Sequence, residues 1–186
     1  MIVLFPGFNN LGWETFNYAI NFKLLRELDM SGLHVNAFTN ADNLSGLPNI
    51  RVLNLNDFVY EGNNSVTVGL THNESLKELY MGGNCNISSF QLPSTGTLEV
   101  LDLTLNTYIS SIPTQTVNGV TQSCLIDQSG LRVLRLRGTS ITNMYGQNMG
   151  LINLPSLQTL ELPLGLEKLT ISNCGLTSLD YSWSDQ

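Results

Sequence analysis

Along this chain apolar residues return in one spacing, L-x-x-L-x-L. It reads Leu25-x-x-Leu28-x-Met30, Ile50-x-x-Leu53-x-Leu55, Leu76-x-x-Leu79-x-Met81 and Leu98-x-x-Leu101-x-Leu103. Leu131-x-x-Leu134-x-Leu136, Leu157-x-x-Leu160-x-Leu162 and Leu166-x-x-Leu169-x-Ile171 continue it. Successive starts lie 25, 26, 22, 33, 26 and 9 residues apart. Within each motif the alternation of a strand sends Leu28/Met30, Leu53/Leu55, Leu79/Met81, Leu101/Leu103, Leu134/Leu136 and Leu169/Ile171 to one side. One such turn cannot bury its apolar side alone, so the pattern predicts stacked turns with strands paired in parallel about 4.8 Å apart.

The eighth position after each start holds Leu33, Phe58, Asn84, Asn106, Thr139 and Cys174 in the motifs long enough to reach it. An inward amide or thiol there can bond backbone groups freed where the chain leaves its strand, and buried backbone groups need such partners. An apolar residue follows at Ile87, Ile109, Ile141 and Leu176. With these features the chain resembles the leucine-rich repeat family over roughly Leu24 to Leu179, most fully in "LKELYMGGNCNI", "LEVLDLTLNTYI" and "LEKLTISNCGL". Four of the six intervals fall in that family's range of about 20–29 residues. The resemblance implies an α/β or mainly β solenoid with a parallel sheet on its concave face and an irregular convex side.

The departures from that pattern carry information too. The stretch from Leu98 to Leu131 is long and points to an insertion near Ser110 to Gln128. The step from Leu157 to Leu166 is too short for a turn, so one of those starts reads as the back strand of the other's repeat. Leu92-Pro93 and Leu162-Pro163 echo each other, a phrasing nearer to bacterial or phage repeat proteins than to regular animal ones. Asn, Gly, Ser and Pro are too dense between the motifs for long helices. Gly12 to Leu28 reads either as an extra irregular turn or as a helix, with Trp13, Phe16 and Tyr18-Ala19 among its apolar positions. The organisation is then residues 1–24 as a cap-like or preceding segment and 25–186 as an array of about six to seven turns. Terminal turns expose apolar faces, so more protein or a partner is expected over one or both ends.

Composition narrows the function. The 186 residues carry 8 Lys+Arg against 15 Asp+Glu, a net charge of −7, which disfavours a phosphate-backbone binder and so nucleic acid. Hydrophobic residues make up 42% and charged ones 12%, enough for a core and too few charges for charge-driven disorder. No stretch approaches the ~18 apolar residues of a membrane helix. The start, Met1 to Phe5, lacks a basic region and breaks at Pro6-Gly7, so it does not read as a signal peptide.

Chemistry is sparse. Cys85, Cys124 and Cys174 are an odd number at wide spacing, neither a disulfide framework nor a zinc pattern, and read as buried free thiols. His34 and His72 sit far apart in no metal spacing. No nucleophile elbow, phosphate loop or zinc-protease motif occurs, so neither an enzyme nor a cofactor is expected. Ser31, Ser45 and Ser129 recur in Ser-Gly-Leu as turn residues. Four sequons, at Asn43, Asn63, Asn73 and Asn86, matter only on a secreted eukaryotic protein.

What remains is the outward strand face: Glu27/Asp29/Ser31, Val52/Asn54/Asn56, Glu78/Tyr80/Gly82, Val100/Asp102/Thr104, Val133/Arg135/Arg137 and Lys168/Thr170/Ser172. Tyr and Arg are favoured interface anchors, which makes Glu78, Tyr80, Asp102, Arg135 and Arg137 the candidate binding residues. The plainer reading is that Asp102 and Arg135 offset each other across neighbouring rungs, worth at most about 1 kcal/mol. The expectation is a non-catalytic module binding a protein, or a glycan. The alternative is a structural part of a larger assembly such as a virion, tail or surface layer. Either suits an extracellular, cell-surface or virion setting.

Overall fold

The computed structural model describes residues 2–3, 23–35, 44, 46–60 and 66–178. The main sheet is formed by β1 (Ile2–Val3), β2 (Glu27–Asp29), β4 (Val52–Asn54), β7 (Glu78–Tyr80), β9 (Val100–Asp102), β12 (Val133–Arg135) and β15 (Thr159–Glu161). These seven strands pair in that order, each parallel to the next. The register is unbroken, with Leu28, Leu53, Leu79, Leu101, Leu134 and Leu160 in one column.

The backs of the turns carry short parallel pairs. These are β3 (His34–Val35) with β5 (Val59–Tyr60) and β6 (Val66–Gly69) with β8 (Ile87–Gln91). Further along, β13 (Asn143–Met144) pairs with β16 (Lys168–Leu169), and β14 (Leu151–Leu154) with β17 (Ile171–Cys174). The chain is a parallel-sheet β-solenoid, and no helix occurs among the described residues. The mainly β form of the expected fold class is therefore the one seen.

Packing follows the motif. Leu28, Leu53, Leu79, Leu101 and Leu134 are buried, as are Met30, Leu55, Met81, Leu103, Leu136 and Leu162 two residues on. Leu25, Ile50, Leu76, Leu98, Leu131 and Leu157, the motif starts, join the same core. Each fully buried aliphatic contributes about 1.5–3 kcal/mol before the cost of ordering the chain.

Three expectations need correction. The segment proposed as a helix, Gly12 to Leu28, ends instead as a turn at Lys23-Leu24 followed by β2, while Gly12 to Phe22 lie outside the described residues. Pairing on both edges, to β1 and β4, holds Glu27–Asp29 extended. Second, the motif beginning at Leu166 is not a rung of the main sheet. Lys168, Thr170 and Ser172 belong to the back of the solenoid, because nine residues after Leu157 cannot carry the chain round a turn. The rung belongs to the Leu157 motif.

Third, Asn84 is exposed, and Cys85 takes the inward place. Gly82-Gly83 adds one residue there: Leu33, Phe58, Asn106 and Thr139 each follow a buried core residue by three positions, whereas Cys85 follows Met81 by four. Asn106 acts as expected of the position. It is fully buried, its Nδ2 donates to Met81 O at 2.9 Å and Ile87 O at 3.1 Å, and its Oδ1 accepts from Tyr108 N at 3.1 Å.

The stretch from Ser110 to Gln128 holds a hairpin, β10 (Thr114–Val117) antiparallel to β11 (Val120–Ser123). Beyond its base the segment turns inward, burying Cys124, Leu125 and Gln128.

Strand exits use left-handed backbone. Gly32, Asp57, Gly83, Leu105 and Gly138, each two residues beyond Met30, Leu55, Met81, Leu103 and Leu136, have φ of 67, 55, 72, 66 and 75°. A residue carrying Cβ is disfavoured there by about 1–2 kcal/mol, with Asn and Asp the tolerated exceptions.

Candidate functional site

The main sheet turns one face to the core and presents three rows of side chains outward. The first row is Glu27, Val52, Glu78, Val100, Val133 and Thr159. The second is Asp29, Asn54, Tyr80, Asp102, Arg135 and Glu161. A third row, Ser31, Asn56, Gly82, Thr104 and Arg137, is aligned by backbone bonds just beyond the strands, such as Gly83 N to Thr104 O and Leu105 N to Arg137 O, both 2.7 Å. Glu78, Tyr80, Asp102, Arg135 and Arg137 all lie on these rows.

Their local chemistry differs. The Tyr80 hydroxyl donates to Glu78 Oε2 at 2.6 Å. Partial burial, that hydrogen bond and the nearby Glu78 and Asp102 charges push the phenol up to about 12, only partly offset by Arg135. Tyr80 is therefore a neutral donor fixed to Glu78. Arg135 bridges two carboxylates, Nε to Glu161 Oε1 at 2.9 Å and Nη1 to Asp102 Oδ2 at 3.3 Å. The hydrogen bond that Arg135 donates to Glu161 leads in raising the Arg135 pKa, with partial burial opposing. Asp102 and Arg135 do offset each other, and Glu161, absent from the sequence-derived face, completes the group. Arg137 is exposed and makes no ion pair among the described residues.

A groove of about 330 Å³ runs over β2, β4 and β7. Carboxylates Glu27, Asp29 and Glu78 line it together with Asn54, Asn56, Val52 and Tyr80. Beside it runs a row the sequence reading did not single out: Arg26, Arg51, Lys77, Glu99 and Arg132, each just before its strand and joined rung to rung through the backbone. Lys77 and Glu99 form an ion pair. The second letter of every motif, read down the repeats, would have revealed this row.

The thiols are poor nucleophiles. Burial pushes Cys85 and Cys124 up to about 12, and neither is disulfide-bonded. Cys174 is half-buried, with its Sγ 3.3 Å from Leu151 O. No group of three His, Cys, Asp or Glu among the described residues is placed to hold a metal ion. No helix among them is long and apolar enough to cross a membrane.

Two sequon asparagines are spent on the fold. Asn73 is fully buried, and its Nδ2 donates to Leu44 O and Leu47 O, each at 2.9 Å. Asn86 donates to Tyr60 O at 2.7 Å and accepts from Tyr60 N at 2.8 Å. Asn43 and Asn63 lie outside the described residues.

Fold and face together define a β-solenoid with a core on one side of its main sheet and a mixed, ordered polar face on the other. No known protein family, curated protein or solved structure matches the chain.

Proposed function

We propose that the chain is a leucine-rich repeat protein whose outward strand face is a non-catalytic binding surface for another protein, with a glycan as the second ligand class. The repeated motif and its in-register parallel rungs support the family reading. The observation that carries the binding reading is the face itself: Tyr80 fixed by Glu78, Arg135 held between two carboxylates, and Val100 and Val133 half-exposed beside them. Such a surface presents rigid aromatic, cationic and aliphatic groups at low entropic cost. An extracellular, cell-surface or virion setting suits the low charge content.

A specific observation favours the second reading, a component of a larger assembly. In the last turn Leu160, Leu166, Leu169, Ile171 and Leu176 are only partly buried. The matching aliphatics one turn earlier, Leu134, Ile141, Met144, Leu151 and Leu157, are at most 1% exposed. That end has the composition of an interface.

Photo-crosslinking in the native source separates the two. A benzophenone side chain at Val100 should capture a discrete protein partner, and one at Leu176 should not. Capture from Leu176 alone would move the assignment to the assembly reading. Solution scattering tests the family reading, since a leucine-rich repeat array should give a curved particle and a straight rod would contradict it.

A further inference from the structure

Leu105 breaks two rules at once. Six non-glycine residues among those described have positive φ, and five of them are Asp or Asn; the sixth is Leu105, at φ 66°. In the same column Gly32, Gly83 and Gly138 take that conformation without a Cβ. A leucine accepting this backbone normally gains burial in return, yet Leu105 is 60% exposed. Its side chain leans over Gly138, where a Cβ would sit 2.8 Å from Leu105 Cδ2. The fold imposes a left-handed residue at this column, but nothing in it calls for an exposed leucine there.

Its surroundings indicate what it meets. Arg137 lies one rung away, Leu105 N bonding Arg137 O at 2.7 Å. On this same face Arg135 is gripped by a carboxylate from each adjacent rung. The row of Arg137 offers none, because its neighbour there is Thr104 and the residue two beyond Glu161 is Pro163. Leu164, two residues past Leu162 as Leu105 is past Leu103, is 54% exposed. An exposed cation with no carboxylate partner among the described residues thus lies one rung from a strained, exposed aliphatic in a chain of net charge −7. The missing counterpart is a carboxylate with an apolar neighbour.

We infer that Leu105 and Arg137 form the anchor of the binding face, and that this anchor takes an acidic residue flanked by aliphatic residues on a protein partner. The inference rests on the proposed binding function and adds the partner's chemistry. Arg137 pairs bidentately with the incoming carboxylate, the geometry its guanidinium favours. Leu105 packs against the adjacent aliphatic.

The test is an NMR titration of the full chain with two synthetic peptides, acetyl-Leu-Glu-Leu-Glu-Leu-amide and its counterpart with Lys for Glu. The Glu peptide should give saturating shifts at the amides of Thr104, Leu105, Arg137 and Gly138, and the Lys peptide none. Arg137→Gln should weaken the Glu peptide by about tenfold or more. Leu105→Gly should do the same while raising the melting temperature by about 2–4 °C, because glycine relieves the backbone. No saturating shift at these amides, an equal response to the Lys peptide, or a lower melting temperature for Leu105→Gly would each overturn the anchor. Shifts confined to Glu78 and Tyr80 would remove it and leave the binding face standing. That wider reading falls separately, through failure of the Val100 crosslink.

Discussion

Asn106 shows how much one side chain can hold at a turn. It satisfies three backbone groups in a fully buried place. Asn106→Ala leaves two carbonyls and one N–H without partners, and should destabilise the chain by about 3 kcal/mol. Asn84→Ala should cost under about 0.5 kcal/mol, because Asn84 is exposed and engages Asp57 Oδ1 through its backbone N. Urea unfolding of both variants, with an unchanged m value, checks the contrast. Equal losses would mean that the amide ladder is not what stabilises the turn. The motif's eighth position identified Asn106 from spacing alone. It misplaced the inward residue at Asn84, because an extra residue at Gly82-Gly83 shifts the phase by one and no periodicity reports a local insertion. Glu161 escapes the pattern for a related reason: the Leu166 motif mimics a last rung, and placing Lys168 there leaves the second carboxylate on Arg135 out of the face.

At the scale of elements, L-x-x-L-x-L tells which side chains point inward and not which side of the turn they line. The Leu166 motif therefore has the right local spacing on the back of the solenoid. Lys23 to Asp29 shows the opposite failure, an apolar pattern compatible with a helix overridden by strand neighbours on both edges. The hairpin was legible and went unread. Thr-Gln-Thr-Val before Asn118-Gly119 and Val-Thr-Gln-Ser after it is the alternating frame of a two-residue loop, and φ of 50° and 80° fits a type I′ turn. Both strands pair with each other and are largely exposed, while the anchors lie at the base, Ser123 N to Asn148 O at 2.7 Å and Cys124 N to Pro113 O at 2.9 Å. Removing Gln115 to Gln122 behind a short Gly-Ser link should thus move the melting temperature by less than about 2 °C. A circular-dichroism melt decides this, and a much larger fall would show that the hairpin braces the solenoid.

For the whole molecule, the repeat revealed the stacking because stacking is what a motif with one apolar side requires, whereas the partner is not written in any inward position. The global property most open to measurement is alkaline stability. Cys85 and Cys124 are held at about 12 by burial, against about 9 for an exposed thiol. Between those values the unfolded chain releases protons that the native chain keeps, so unfolding becomes more favourable as pH rises. Two such thiols give a slope of up to about 3 kcal/mol per pH unit above pH 9. Tyr80 adds to the fall between about 10 and 12 in the same sense, weakly because it is partly exposed. Rising net negative charge acts in parallel, so the slope alone does not assign the cause. The double variant Cys85→Ala/Cys124→Ala does, since it removes the thiols and leaves every carboxylate in place. Under reducing conditions its urea midpoint should start slightly lower at pH 7 and then decline less steeply than the wild type through pH 10. Parallel declines would place the alkaline sensitivity in charge repulsion across the acidic surface rather than in the buried thiols of the core.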